Sequence, residues 1–322
     1  MKRIVVAICF LLVSTNLIAQ KKANVDSLKR LLLSAKTDTA RMNLLNKLSR
    51  AYEEFKPDSV IYFAKQLLAL SWANRVDFNI AIAMGRISYA EYNKGNYAEA
   101  LKFGLQEVKI FEKQKDPKAL ANAYNGLGNI FKGQENYTKA VYYYKKCQQT
   151  AISCGDKLDL LYSYLNLGNV YGQINRLDSA VYYANKAISF TKEIHLNYGI
   201  DYDLFNLGTV NFKQKRYKAA YDYYHKALKI AHDDANFKHE GEYCVSLAEY
   251  FYRVHPVDSA LYYAHVALSD SRKSLSRKTT YRSAELLSVI YEGQHQTDSA
   301  FKYLKLAGSI KDSIYNTLNS RK

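Results

Sequence analysis

The 322-residue chain carries 46 Lys and Arg against 30 Asp and Glu, a formal net charge of +16, with 30 tyrosines and only 4 cysteines. So basic a chain invites a nucleic-acid reading. Its cations are scattered, however, and the densest groups, Lys213, Lys215, Arg216 and Lys218, then Arg272, Lys273, Arg277, Lys278 and Arg282, fall at turns, which favours a solvated surface over a nucleic-acid interface; nor do so few cysteines make a disulfide framework.

Taken from the start, Met1-Lys2-Arg3, the apolar run Ile4 to Val13 and the segment Asn16 to Gln20 have the three parts of a secretory signal peptide over residues 1–20. The apolar run is too short to span a bilayer, and no later stretch is apolar enough to do so. Cleavage is expected after Ala19 or Gln20, with an uncleaved N-terminal anchor as the alternative because Leu17 stands where a small residue is preferred. Loss of Lys2 and Arg3 leaves 44 basic residues against 30 acidic ones, a net charge of +14. Export would separate the protein from DNA and RNA. Residues 24–40 follow as an N-terminal capping helix, with Val25, Leu28, Leu31 and Leu32 on one face.

From residue 41 the chain repeats. Ala100, Ala140, Ala180, Ala220, Ala260 and Ala300 recur at a 40-residue interval, with Val60 one interval earlier, and three residues after each stands a ring, from Phe63 to Tyr303. Twelve residues before each alanine lies a small residue: Ser88, Gly128, Gly168, Gly208, Ala248 or Ser288. Thirteen before lies Ile87 or a leucine, and nine before, Phe131, Tyr171, Phe251 or Tyr291 in four units. At helical spacing each unit is two amphipathic helices. The expected units lie near 41–80, 81–120, 121–160, 161–200, 201–240, 241–280 and 281–316, before a tail at 317–322. Small residues such as Gly168 and Ala180 let paired helix axes approach. Lys94-Gly95-Asn96, Gln134-Glu135-Asn136, Ile174-Asn175-Arg176 and His255-Pro256 read as the turns within units, and Pro57, Asp58, Asp178, Asp258 and Asp298 suit the start of each second helix.

Segments such as Asn166-Leu167-Gly168-Asn169-Val170-Tyr171 leading to Leu177-Asp178-Ser179-Ala180 resemble tetratricopeptide repeats, in a subclass lengthened by six residues over the usual 34. The resemblance implies an all-α, right-handed α-solenoid of about seven helix-turn-helix units. Its first unit is weak, with Lys47 where leucine is expected, and Cys244 and Ala284 replace the large aromatic of the last two. The wording of both ends, Asp26-Ser27-Leu28 through Arg41 and Lys311-Asp312-Ser313-Ile314-Tyr315-Asn316, is similar to exported repeat modules of bacterial membrane-bound histidine kinases and helix-turn-helix regulators. In those relatives a transmembrane helix and an output domain follow. This sequence ends at Lys322, so a direct signalling output is not expected.

No catalytic or metal constellation emerges. His225, His232 and His239 are spaced by seven, but the turn at Asp233-Asp234-Ala235-Asn236 separates them, which predicts solvated or capping roles. His239-Glu240 lacks the second histidine of a zinc protease, and Gly126-Leu127-Gly128 runs on to Phe131 where a dinucleotide loop needs glycine. Cys147 and Cys244 fall in core columns, and Cys154 is two helical turns from Cys147, too far to bridge. No cofactor is expected, and no enzyme. Tyr62, Tyr142, Tyr182 and Tyr262 fall on the outer side of the second helices, where partial burial under Lys stems is expected.

The functional signal lies on the first helices. Asn122, Asn125 and Asn129 fall opposite the core residues Tyr124, Leu127 and Phe131; Tyr162, Asn166 and Asn169, then Tyr202, Asn206 and Thr209, continue the series. Asparagine is a poor helix former, so its accumulation in mid-helix calls for another use. A carboxamide both donates and accepts, and a column of them can bind the backbone of an extended peptide without demanding its sequence. The resemblance implies the same place, since first helices line the concave groove of that family. The expected function is therefore a non-catalytic protein- or peptide-binding scaffold, exported to a bacterial envelope. The alternatives are a sensor or accessory piece of a membrane signalling system, and a binder of anionic polymers through its basic turns.

Overall fold

The computed structural model describes residues 24–53, 56–196, 199–254, 256–274 and 276–319, with side chains given as far as Asp312. The expected signal peptide at 1–20, His255 and the final three residues lie outside the described residues, as do the side chains of Ile314 and Leu318. All regular structure is helical, and among the described residues there is no strand.

The chain divides into two compact units, residues 1–159 and 160–322. The first holds α1 (24–34), α2 (Asp38–Ala51), α3 (Pro57–Ala73), α4 (Asp77–Asn93), α5 (Tyr97–Gln114), α6 (Pro117–Gly133) and α7 (Tyr137–Cys154). Helix α8 (Lys157–Gln173) starts at the division, and the second unit continues with α9 (Leu177–Glu193), α10 (Ile200–Lys213), α11 (Tyr217–Asp233), α12 (Phe237–Val254), α13 (Val257–Lys273), α14 (Arg277–Gly293) and α15 (Thr297–Asn319). From α2 to α7 in the first unit, and from α9 to α15 in the second, each helix packs on the next. In addition α2 touches α4 and α4 touches α6, while α10 touches α12 and α12 touches α14. First helices therefore form the closer, inner layer of each unit, and second helices splay outside.

Residues with left-handed backbone recur every twenty positions: Arg75, Gly95, Lys115, Glu135, Gly155, Asn175, His195, Lys215, Ala235 and His295. Beside each, the next amide reaches back five residues, as in Val76 N to Ser71 O at 2.9 Å, Asn136 N to Phe131 O at 2.9 Å and Asn236 N to Ala231 O at 2.8 Å. This is the Schellman closure, which satisfies carbonyls left orphaned at a helix end. The turn inside a repeat and the turn between repeats are thus the same device, and the 40-residue period is two 20-residue halves. Asp116 and Asn136 cap the helices that follow, accepting from Ala119 N at 3.0 Å and Lys139 N at 3.2 Å. Asp58, Asp178, Asp258 and Asp298 stand inside the first turn instead, where they complement the helix dipole.

The small residue twelve before each alanine is matched to what faces it. A Cβ on Gly128 would fall inside the ring of Tyr144, and one on Gly208 inside that of Tyr224, whereas one on Gly168 would meet Ala184 N at an ordinary 3.4 Å. Serine in the same column bonds the repeat alanine's carbonyl, Ser88 Oγ to Ala100 O at 2.7 Å and Ser288 Oγ to Ala300 O at 3.0 Å. The two aromatic columns stack face to face within repeats: Phe131 on Tyr143 at 5.3 Å, Tyr171 on Tyr183 at 5.5 Å, Phe251 on Tyr263 at 5.5 Å and Tyr291 on Tyr303 at 5.6 Å between centroids. The large aromatic expected at Cys244 moves one place, to the wholly buried Tyr243, which stacks on Phe205 at 4.5 Å.

Helix α1 covers the α2–α3 core with Val25, Leu28 and Leu32, but Leu31, expected on that face, is 51% exposed. It sits a third of a turn off the stripe. Tyr62, Tyr142, Tyr182 and Tyr262 are also more open than expected, at 53% to 63%. Lys146 and Lys186 lie over the rings of Tyr142 and Tyr182 at 5.3 and 5.8 Å without covering them. The cysteines Cys147, Cys154 and Cys244 are free thiols.

Candidate functional site

In the first unit the candidate residues sit on α6. Asn122 is exposed and donates from Nδ2 to Asp159 Oδ1 at 3.5 Å. Asn129 is half-buried, and its carbonyl accepts from the wholly buried Tyr144 hydroxyl at 2.8 Å. Asn125 is half-buried and engaged as well. In the second unit Tyr162, Asn166, Asn169, Tyr202, Asn206 and Thr209 are all half-buried. Asn169 Nδ2 donates to the Tyr202 hydroxyl at 2.7 Å, and Thr209 Oγ1 receives the Tyr224 hydroxyl at 3.4 Å while donating to Phe205 O at 3.1 Å. The column is therefore not a row of open carboxamides, because several are already joined to neighbouring tyrosines. Asn206 differs: its Nδ2 is buried with no partner. A buried donor left unmade costs about 1–3 kcal/mol, so this is a donor that an incoming acceptor would satisfy.

Next to it lies a cluster that the sequence reading missed. Asp201 and Asp203 on α10 are 8% and 1% exposed. Asp201 Oδ2 accepts from Tyr243 at 3.0 Å and bonds His239 Nδ1 at 2.6 Å, both on α12, and the Tyr202 ring lies 6.3 Å from that imidazole. Burial pushes the Asp201 carboxyl up, but the hydrogen bond and charge of His239 with the Tyr243 bond hold it below its ordinary value. Asp203 has no such support. Its Oδ2 is unpartnered, and burial, with Asp201 adding, raises it to about 8. The signal was in the register: Asp201's column holds Arg41, Ala81, Ala121, Leu161, Gly241 and Tyr281, and Asp203's holds Asn43, Ala83, Ala123, Ser163, Tyr243 and Ser283, with no other carboxylate in either.

His239 is accordingly neither solvated nor a simple cap, as was expected of it. His225 Nε2 meets the Tyr263 hydroxyl at 3.1 Å, and the exposed His232 meets Glu240 at 2.8 Å. Carboxyls with raised values stand in the first unit too, the buried Asp159 and the half-buried Glu107. Asp159 is raised to about 6 by burial and by Asp156, against Asn122 and Lys118; Glu107, over Gly85, is raised to about 8 by burial against Arg86. Among the described residues no three His, Cys, Asp or Glu side chains are grouped as a metal site would require, and no helix is long and apolar enough to cross a membrane.

Tetratricopeptide-repeat models match residues 79–153 and 119–193, and a second such model matches 203–234. These segments are tetratricopeptide repeats. No curated protein matches the sequence. Among solved structures, the chain is similar to the apo form of RapI, with 13% identity, TM-score 0.70, and coverage of 85% of this chain and 99% of that one. It is also similar to the Rap conjugation gene regulator of plasmid pLS20 in complex with the Phr* peptide, with 15% identity, TM-score 0.64 and coverage of 86% and 76%. A Rap protein complexed with competence and sporulation factor gives 12% identity, TM-score 0.59 and coverage of 93% and 99%. At such identities the likeness concerns the repeat fold alone.

Proposed function

We propose that this repeat protein is a non-catalytic scaffold that binds an extended protein or peptide segment along its first helices. The observation that carries the reading is Asn206 Nδ2, a buried donor without a partner in the midst of half-buried Tyr202, Asn169 and Thr209. A peptide carbonyl is an acceptor of the kind it lacks. Two of the similar structures are complexes with a peptide or a named factor, which supports the same reading.

The test is Asn206→Ala. Alanine is the better helix former and removes the unsatisfied donor, so the variant should be at least as stable as the parent. Its affinity for peptides that the parent selects from a randomised display library should fall about tenfold or more, the equivalent of one lost hydrogen bond to a desolvated group. Unchanged affinity removes Asn206 from the site, and a library that yields no binder removes the reading itself. Asn129→Ala is the wrong variant for this purpose, because it would strand the buried Tyr144 hydroxyl and unsettle the fold.

A sensor role is the second reading, favoured by the similar structure described as a gene regulator bound to a peptide. Export is supported by the charged, apolar and polar order of residues 1–20. Protein recovered from the native envelope should have an intact mass starting at Gln20 or Lys21; a soluble cytoplasmic form that keeps Met1 would exclude export.

A further inference from the structure

A cleft of about 630 Å³ lies between the second helices α13 and α15. His265, Leu268 and Arg272 lie along one face of α13 at helical spacing, and Lys302, Tyr303 and Leu306 face them from α15. The floor is apolar, with Leu268 buried and Tyr303 and Leu306 half-buried, while Arg272 and Lys302 stand exposed at the rim.

The rim carries charge of one sign only. No carboxylate lines the cleft, and neither Arg272 nor Lys302 has an acidic partner among the described residues, although nearby Lys273 and Arg282 are paired with Asp270 at 2.6 Å and Glu249 at 2.7 Å. The repeat register accounts for this. Lys302's column holds one other cation, Lys102, which is paired with Glu99 and whose partner position across the groove is Trp72; Arg272's column holds Lys192, opposite Asp222, and His232, paired with Glu240. Among these register pairs, only Arg272 and Lys302 place two cations across the same groove, and Lys302 lies over the Tyr303 ring at 5.5 Å. His265 bonds the Tyr291 hydroxyl at 3.0 Å and is held below its ordinary value by burial and by the Lys302 cation, so it answers to the charge placed beside it.

We propose that this cleft binds a monomeric anionic amphiphile, with a carboxylate or phosphate head between Arg272 and Lys302 and an apolar chain on Leu268, Tyr303 and Leu306. The volume lies within the range of small-ligand pockets. A recessed apolar floor beneath a cationic rim suits a single chain entering the cleft better than the surface of a bilayer, which is reached by protruding side chains. The site is separate from the first-helix face and does not depend on it.

The test is calorimetric titration of the full chain with dodecanoate and dodecyl phosphate below their micelle concentrations, beside inorganic phosphate and the neutral dodecyl maltoside. Both anionic amphiphiles should bind. Phosphate alone should bind about tenfold more weakly or less, and the maltoside should not compete. Arg272→Gln combined with Lys302→Gln should cost about tenfold or more, since charge-assisted bonds are the stronger kind; both residues are exposed, so helicity by circular dichroism should not change. Bound anion should also raise the His265 titration midpoint followed by NMR. No binding, equal binding by the double variant, an unmoved His265, or capture only by phosphatidylglycerol vesicles would each overturn the proposal.

Discussion

The pairs α6–α7 and α10–α11, one from each unit, are built alike at the centre and differently at the start. Each packs a tyrosine ring on a glycine, Tyr144 on Gly128 and Tyr224 on Gly208, and each sends that hydroxyl to the same first-helix position, Asn129 or Thr209. Yet at the positions where α6, a longer helix, buries Ala121 and Ala123 in its second turn, α10 buries Asp201 and Asp203 in its first. The central match is what makes two helices a pair. At these positions a first helix meets its neighbours, and there α10 gives up apolar burial for a carboxylate network reaching His239 and Tyr243.

The shared centre can be broken directly, with the largest expected effect. Gly128→Ala must displace the buried Tyr144 ring and should lose about 1–3 kcal/mol as overpacking. Gly168→Ala, in a repeat where Ala184 replaces the tyrosine, meets only ordinary contacts and should be neutral or gain up to about 1 kcal/mol of helix propensity. Urea midpoints of the two variants decide it. Equal losses would mean that the tyrosine does not set the requirement for glycine.

The difference at these positions is sharpened by pH. Asp203 has an ordinary value of 3.8 when unfolded and about 8 in the fold. Between these values the folded chain holds a proton that the unfolded chain has released, so stability is full at low pH and falls as pH rises through this window. Asp159 and Glu107 act in the same sense, while Asp201, held low, acts in the opposite one. Asp203→Asn keeps the shape without the proton and should flatten the decline in stability between about pH 4 and about pH 8, by on the order of a few kcal/mol. A variant that retains the parent's full slope would place the cause elsewhere.

The paired helices, the small-residue column and the ring columns were legible because each rests on side-chain identity repeated in phase. The columns of Phe131 and Phe251 and of Tyr143 and Tyr263 were visible in the sequence, while their stacking came from the structure. The site was legible only as composition. That Asn169 would be joined to Tyr202 depends on a contact 33 residues away, and that His239 would meet Asp201 on one 38 residues away, set by how successive first helices align. Asp201 and Asp203 broke the register in plain view, yet their chemistry comes from burial, which one column cannot report. The twenty-residue turn was hidden for another reason. Its left-handed position is occupied by Arg75, Lys115, Glu135 and Lys215 as well as by Gly95 and Gly155, despite the cost to a side chain, so the usual glycine signal is mostly absent.

That turn yields the smallest effect and the strictest comparison, because the same backbone state occurs with and without a side chain. Gly155 has φ of 71° and open space where its Cβ would stand, so Gly155→Ala tests backbone alone. A side chain in the left-handed region costs about 1–2 kcal/mol, offset by about 0.4–1 kcal/mol from the stiffer unfolded chain, for a net loss near 1 kcal/mol. Ala235, at φ 51°, already bears that cost without a polar side chain to relieve it, so Ala235→Gly reverses both contributions and should gain up to about 1 kcal/mol. Opposite signs in the two urea midpoints are the expected result. If both variants shift the same way, the Schellman closure does not hold the backbone in place, and the regular turn follows from helix packing with slack to relax.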